Sequence, residues 1–313
     1  MSTTTSSNTA DDPIFDNDSD VADLDNGAVC VAAIRTPPRP VPDRACWTVM
    51  ENYAALITES TPMRALPLPL TQNEPATVAA RISQLPFRVA AVFLIGLDPC
   101  GATQVQRAVA ASGGPPVISE LDVVTAAFGA AAMSLLRRRD ITPRRGRIVV
   151  TGAEATPRLG PLLLALGARP MTTWHPFDAQ DHPWPQLMKH NDLLIDLAHA
   201  APDNAAPARM LRMPREPYDY GALVLPGLLR GLCRHEHTPV AIEVLAACSR
   251  ALALIAPTDA ILPDTDEPLL IPAVARHVDR ALREVSRHRA LTHRQPSRRP
   301  PPARDTDHEG QPQ

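Results

Sequence analysis

Lysine, aromatic residues and cysteine are all scarce in this sequence of 313 residues. Lys189 is the only lysine, and the other basic residues are arginines. Aromatic residues make up 4% of the chain and do not alternate with basic ones, so the pattern of a nucleic-acid-binding surface is missing. The five cysteines are irregularly spaced, which excludes a disulfide scaffold and favours reduced thiols in a cytoplasmic protein.

Long apolar runs and a large net charge are also missing. The most apolar stretches, such as residues 126–136, are shorter than the roughly 20 residues that span a bilayer. The N-terminus has neither the basic nor the apolar region of a signal peptide, so we expect no leader. A formal net charge of −3 gives no reason to expect a nucleic-acid or membrane partner. The 44% of hydrophobic residues is enough for a folded core.

The two ends of the chain differ in composition from its middle. Residues 1–25 contain seven aspartates and no lysine or arginine, which predicts a disordered acidic tail. Residues 291–313 are rich in proline and arginine, which predicts a second disordered tail. The folded part is therefore expected at about residues 26–290.

Helical and strand patterns alternate through that part. Strands are predicted at residues 88–94, 147–151, 171–174 and 192–197, and helices at 77–85, 102–111, 122–138, 158–166, 240–254 and 271–287. This alternation predicts an α/β fold with a Rossmann-like, doubly wound parallel sheet covered on both faces.

The turn after the strand at 147–151 lies where a Rossmann fold binds the phosphates of a dinucleotide. That chemistry uses the pattern G-x-G-x-x-G, of which only Gly152 is present. Glu154 places a negative charge at the second glycine, and Pro157 stands at the third. At the end of the next strand, Trp174 and His175 stand where an acidic residue would hold the ribose. A structural turn is favoured here, with a working dinucleotide site as the alternative.

Five motifs, in order, resemble those of the NAD(P)-dependent malic enzymes of the short bacterial type. The resemblance covers residues 26–287. The matching segments are Val49–Leu56 (family V-M-E-G-K-A-L-L), Ala65–Leu70 (A-V-P-I-C-L), Val92–Leu97 (I-N-L-E-D-I), Pro116–Ala126 (P-V-F-H-D-D-Q-H-G-T-A) and Leu225–Gly231 (F-P-G-I-F-R-G).

The resemblance implies a truncated malic-enzyme-like substrate domain at 26–120, an NAD(P)-binding Rossmann domain at 121–290, and a homodimer. Such enzymes oxidise and decarboxylate malate with a lysine base and a divalent metal. Here the lysine position holds Tyr53, and the substrate-binding asparagines fall near Tyr220 and Gly221. The three metal-ligand positions hold Ile95, Gly96 and Leu121.

These replacements predict a catalytically inactive protein with a binding or regulatory role. We expect no catalytic residue and no metal ligand, because Ile95, Gly96 and Leu121 carry no side-chain oxygen. The positions left for NAD or NADP, which we expect to bind weakly if at all, are Thr125, Gly152, Ala153, Glu154 and Ala155.

Three alternatives remain open. Asp98, Glu120 and Asp122 lie near the old metal positions, so a rebuilt NAD(P)-dependent oxidoreductase, of the decarboxylating malate dehydrogenase type, is the second hypothesis. Cys233, His235 and His237 offer zinc ligands, although an exposed loop is the favoured interpretation. The arginines of residues 137–147 fit an acidic partner, a nucleotide phosphate or the protein's own acidic tail, although a solvated helix end is favoured.

Overall fold

A computed structural model of the chain describes residues 27–34, 46–85, 89–206, 208–233, 235 and 239–293. The predicted acidic tail lies outside these residues, as does all but the start of the predicted C-terminal tail. Every strand pair in the described part is parallel, and helices cover the sheets. The predicted α/β class with a Rossmann-like sheet is confirmed.

The first sheet has the strand order β2-β1-β3-β4. Its strands are β1 (Ala28–Ile34), β2 (Ala65–Leu70), β3 (Val89–Ile95) and β4 (Val117–Ser119), and its helices are α1 (Cys46–Ser60), α2 (Pro75–Ser83) and α3 (Pro99–Ala111). All seven residues of β1 are buried, as expected of a central parallel strand with helices on both faces.

The helix α4 (Glu120–Arg137) leads from the first sheet to the second. It begins directly after β4, because the Ser119 side chain accepts from the Asp122 amide while the Asp122 carboxylate accepts from the Ser119 amide. Most of its residues are buried, and they belong to one hydrophobic core that includes residues of both sheets. The helix therefore joins the two halves of the molecule rather than covering one of them.

The second sheet has the order β6-β5-β7-β8. Its strands are β5 (Ile148–Thr151), β6 (Met171–Trp174), β7 (Leu193–Asp196) and β8 (Met210–Arg212), with the short helices α5 (Leu159–Ala165) and α6 (Trp184–Leu187) between them. The strand that follows β5 in the chain, β6, lies on one side of it in the sheet, and the next strand, β7, lies on the other side. In parallel sheets a ligand crevice is expected at such a reversal of strand order, here beyond the carboxyl ends of β5 and β7.

Three C-terminal helices complete the described fold: α7 (Pro217–Leu232), α8 (Ile242–Ile255) and α9 (Leu270–His293). The helices α7 and α9 approach closely at two glycines. A Cβ atom on Gly227 would lie 2.5 Å from Cβ of Val274, and one on Gly231 would lie 2.6 Å from a methyl group of Val278. Within the described residues, no helix is long and apolar enough to cross a membrane.

The predicted elements agree with the observed ones to within a few residues, but several elements are new. The sequence pattern predicts no element before residue 77, so β1, α1 and β2 are additions, as are the three-residue strands β4 and β8 and the helices α6 and α7. Pro67 and Pro69 in β2 argue against a strand, yet β2 lies at a sheet edge, where the missing N–H groups cost no ladder bond. The helix α9 is longer than predicted and continues to His293.

Candidate functional site

Tyr53, at the position that the resemblance matches to the lysine of the family motif, lies in the hydrophobic core. It is on α1 and has no exposed surface. Its ring packs edge-on against Phe93 of β3 with centroids 4.6 Å apart, and against Tyr218 of α7 at 4.9 Å. Its hydroxyl donates to a carboxylate oxygen of Glu120, the first residue of α4, at 3.1 Å. The position of the family's base is thus part of an aromatic core.

Gly221 on α7 leaves the space that the Tyr53 ring occupies. A Cβ atom at this position would lie 2.2 Å from the Tyr53 hydroxyl oxygen and 2.9 Å from the ring. This is also where the resemblance places a substrate-binding asparagine. The two changes fit one another, because a side chain at position 221 and a tyrosine at position 53 would claim the same volume.

The Tyr53–Glu120 pair has shifted proton affinities. Burial and the nearby Glu120 carboxylate raise the pKa of Tyr53 far above its usual value. Burial raises the pKa of Glu120 to about 6, against the opposing effect of the hydrogen bond from Tyr53. The phenol therefore stays protonated at neutral pH and does not act as a base there.

The positions matched to metal ligands present no oxygen from a side chain. Ile95 is buried at the end of β3, and Gly96 follows it with a left-handed backbone (φ 89°). Leu121 lies on the first turn of α4 and lines a small cleft. A hard cation such as Mg²⁺ or Mn²⁺ requires oxygen ligands, so these residues do not fit it.

The three carboxylates of the alternative metal site each form hydrogen bonds with different groups. Asp98 begins α3 by accepting from the Gly101 amide at 2.9 Å. Glu120 accepts from Tyr53, and Asp122 takes part in the cap of α4. Among the described residues, no group of three His, Cys, Asp or Glu side chains is placed to hold a metal ion. The geometry therefore gives no support to a rebuilt metal centre from these three residues.

The carboxylate of Asp122, which is 1% exposed, ties three elements together. One oxygen accepts from the Gln106 amide of α3 at 2.6 Å and from the Ser119 amide at 2.9 Å. The other receives the guanidinium of Arg158 at 2.5 Å, and Arg158 also donates to the Val240 carbonyl at 2.5 Å. This junction bridges the first sheet's layer and the turn that follows β5.

A cleft of about 20 Å³ remains beside this junction, room for roughly one water molecule. Thr125 and Thr156 both line it. The Thr125 hydroxyl donates to the Leu121 carbonyl at 2.5 Å, whereas the buried Thr156 hydroxyl has no hydrogen-bond partner among the described residues. Thr125 thus lies near the turn after β5, but the space between them is far smaller than a dinucleotide.

The turn after β5 differs from a phosphate-binding turn. Gly152 has a left-handed backbone (φ 61°), and a Cβ atom there would lie 2.8 Å from the Ala198 amide nitrogen. Residues Ala153–Ala155 form a 3₁₀ turn, with Glu154 exposed, and α5 begins only at Leu159. The helix N-terminus that would face a pyrophosphate is therefore displaced along the chain.

The segment that covers this turn is held by Asp196, a residue that the sequence analysis did not single out. Its buried carboxylate accepts from the Thr151 hydroxyl at 2.7 Å and from the amides of Ala200 and Ala201 at 2.9 and 3.1 Å. Arg212 of β8 lies 3.4 Å from the same carboxylate. The sequence signal that could have identified this residue is a single aspartate at the end of the otherwise apolar strand β7. The segment that follows β7 thus covers Gly152 at the place where the crevice between β5 and β7 is expected.

The residues at the predicted ribose position are engaged elsewhere. The Trp174 indole donates to the His182 carbonyl at 3.1 Å, and its ring packs against the tilted ring of Trp184 with centroids 4.0 Å apart. The His175 amide donates to Asp178 at 2.8 Å, so this nearby acid forms a local cap. No acidic group at the end of β6 is left to accept from a ribose among these residues.

The candidate zinc ligands diverge where the structure describes them. The thiol of Cys233, which is exposed at the end of α7, contacts the Met63 sulfur at 3.1 Å. His235 pairs with Asp279 of α9 at 2.8 Å. His237 lies outside the described residues. The two described side chains therefore have different partners.

Comparison with known proteins bears on the fold. No protein-family model and no curated protein matches this sequence. A malic enzyme of Entamoeba histolytica matches with a TM-score of 0.68 and 17% identity, over 82% of this chain and 70% of that chain. An NAD-dependent malic enzyme of Thermotoga maritima matches with a TM-score of 0.65 and 14% identity, over 81% and 84%. One of Pyrococcus horikoshii gives 0.67 and 14%, over 82% and 77%. At identities this low, the structural matches show that the fold is shared and show nothing about activity.

Proposed function

We propose that this chain, which has the fold of the malic enzymes, does not oxidise malate and acts instead as a binding or regulatory protein. The observation that carries the proposal is the Tyr53 cluster. A protonated phenol, sealed between Phe93, Tyr218 and Gly221, occupies the place of the family's base and of a substrate contact. The metal-ligand positions hold apolar residues as well, so base and metal are lost together.

The rate that these losses remove is large. General acid–base assistance is typically worth about 10²–10⁴-fold, and a metal that polarises the substrate adds several kcal/mol. The purified protein should therefore show no malate-dependent reduction of NAD or NADP with Mg²⁺ or Mn²⁺ present. Absorbance at 340 nm measures this directly, with an active malic enzyme assayed in parallel to validate the conditions.

The variant Tyr53→Phe is the control for that assay. It removes only the hydroxyl group, so a trace activity that comes from a contaminating enzyme would not change. Turnover above background in the wild type, lowered in Tyr53→Phe, would mean that the site has been rebuilt and that the proposal is wrong.

One observation favours the second candidate, an NAD(P)-dependent oxidoreductase with a rebuilt site. The pKa of Glu120, about 6, suits a general base near neutral pH, and its carboxylate contacts Tyr53. In that case Glu120→Gln would abolish turnover. If wild type and Glu120→Gln are equally inactive, Glu120 is a structural acid.

Nucleotide binding should be weak or absent as well. Ala198 packs on Gly152, and Glu154 adds a negative charge beside the turn, so a pyrophosphate would meet both a blocked crevice and like charge. Calorimetry should detect no micromolar binding of NAD or NADP. Micromolar affinity for either nucleotide would contradict this expectation.

The variant Glu154→Gly tests which obstacle matters. If the turn kept Rossmann geometry, removing the charge would restore affinity. Because residues 153–155 form a 3₁₀ turn and Ala198 covers Gly152, we expect little gain from this variant alone. A clear gain would show that charge, rather than the covering chain, excludes the nucleotide.

Burying Glu120 should make the protein less stable above its pKa. Its proton is bound more tightly in the folded state, since the pKa rises from 4.5 to about 6, so this contribution is present below about pH 4.5 and is lost as the pH rises through about 6. Across this range, the free energy of unfolding of the wild type should fall by about 2 kcal/mol relative to Glu120→Gln. Urea unfolding at about pH 4.5 and 7.5 measures the difference, and parallel curves would contradict it.

A further inference from the structure

A group of exposed cations lies at the amino end of the second sheet, opposite the crevice described above. We call it the basic edge. Its members come from the turn between α4 and β5 and from the segments that precede β6 and β7: Arg138, Arg139, Arg144, Arg145, Arg147, Arg169 and Lys189. The single lysine of the chain is thus one of seven cations on one surface.

Hydrogen bonds hold these segments side by side. Arg147 donates to the His190 carbonyl at 3.3 Å, and Arg139 donates to the Asp192 carbonyl at 3.1 Å. The amide of Arg169 donates to the Pro143 carbonyl at 3.4 Å. The basic edge is therefore one continuous surface.

The charges of the basic edge are not neutralised within the described residues. None of its seven cations forms an ion pair there. Arg139 and Arg147 bind neutral carbonyl groups, and the carboxylate of Asp192 accepts from the Arg147 amide. Asp140 is the other acidic residue among these segments. Such a cluster attracts an anionic partner.

The chain itself carries an anion of matching size. Residues 1–25 hold seven aspartates and no cation, and without them the formal net charge would change from −3 to +4. This acidic segment is covalently joined to β1, and 25 residues extend to roughly 85 Å, more than the width of a domain of this length. A tethered segment has an effective concentration in the millimolar range. A separate anionic molecule of equal affinity would need a higher concentration than this to displace it from the basic edge.

We propose that the acidic segment, residues 1–25, docks on the basic edge of the same molecule. Charge complementarity and the tether carry the assignment. Duplex nucleic acid is the weaker occupant, because the seven aspartates of the tethered segment would repel its phosphates. The proposal does not depend on whether the protein is an enzyme.

The only lysine makes the proposal testable on the full chain. A carbodiimide activates a carboxyl group, which then forms an amide with a lysine amine in direct contact, with loss of one water. Apart from the N-terminal amine, every such link must end at Lys189. Mass spectrometry of the digested protein should find Lys189 joined to one or more aspartates of residues 11–25, with a yield that falls as salt is raised.

A matched pair of variants separates docking on this surface from general charge attraction. Reversing two charges of the basic edge, with Arg144→Glu and Arg145→Glu, should lower the yield about tenfold. Reversing two exposed arginines of α9, with Arg276→Glu and Arg280→Glu, should leave it unchanged. Circular dichroism and thermal melting show whether each variant is folded, and raising salt in the wild type measures the electrostatic share of the yield without a substitution.

Four outcomes would overturn the proposal. Lys189 could be unlinked or joined only to a neighbour such as Asp192, or both variant pairs could behave alike. In a mixture of ¹⁵N-labelled and unlabelled protein, links solely between labelled and unlabelled chains would assign the segment to a second copy. Tight binding of duplex DNA by the full chain, abolished by the basic-edge variants, would assign the surface to nucleic acid.

Discussion

The variant Arg158→Ala should lower the free energy of unfolding by about 3 kcal/mol. It leaves the buried carboxylate of Asp122 without its cationic partner while the bonds from Gln106 and Ser119 remain. The loss should be this large because the carboxylate keeps its buried place at the start of α4 and loses the only cation that it contacts among the described residues. Urea unfolding at neutral pH gives the value from the shift in midpoint.

Arg138→Ala provides the comparison for that variant. Arg138 is exposed and forms no ion pair within the described residues, so its loss should change stability by less than about 0.5 kcal/mol. The double variant Arg158→Ala with Asp122→Asn should recover part of the loss, since no unpaired charge is then buried. Equal effects of Arg138→Ala and Arg158→Ala would mean that the junction adds nothing to stability.

Gly227→Ala should destabilise the protein by about 2 kcal/mol. The new Cβ would meet the Cβ of Val274 at 2.5 Å and the Ile271 carbonyl at 3.2 Å, and neither atom is the end of a flexible side chain. Overpacking of this kind costs about 3 kcal/mol, of which the better helix propensity of alanine returns about 1. Thermal or urea unfolding measures the difference.

Gly160→Ala isolates the propensity from the contact. Gly160 lies in α5, and a Cβ atom there would meet nothing within 4 Å. Because Gly160 lies in the first turn of α5 and directly precedes Pro161, whose ring crowds a Cβ on the residue before it, the gain in helix propensity is offset and the substitution should change the stability by less than about 0.5 kcal/mol. If Gly227→Ala were as neutral as Gly160→Ala, α7 and α9 would have room to separate at no cost, and the close contact would not be needed.

The sequence predicts the layer architecture well because periodicity is a local property. The strands at 147–151, 171–174 and 192–197 were each located to within one residue at either end, since apolar runs and turn residues bound them. The strands β4 and β8 have three residues each, too few to show a periodic pattern. The strand β2 was missed for another reason, since its two prolines are untypical of a strand.

The site could be predicted only position by position. The resemblance located Tyr53 and Gly221, but their mutual fit joins residues far apart in the chain and is visible only in three dimensions. The same is true of Ala198 on Gly152, where the covering chain comes from beyond β7. Sequence reasoning attributed the loss of nucleotide binding to the charge of Glu154, whereas the structure adds a steric obstacle.

The contact between α7 and α9 changes what the segment Leu225–Gly231 can tell a reader of distant sequences. This segment matches the malic-enzyme pattern better than the segments around Tyr53, Ile95 or Leu121, and its two glycines serve to bring two helix backbones together. A match in this segment therefore indicates the fold and carries no information on catalytic activity. In a newly read genome, the same seven residues would justify assigning the scaffold, and the lysine at the position of Tyr53 would still have to be sought before assigning the reaction.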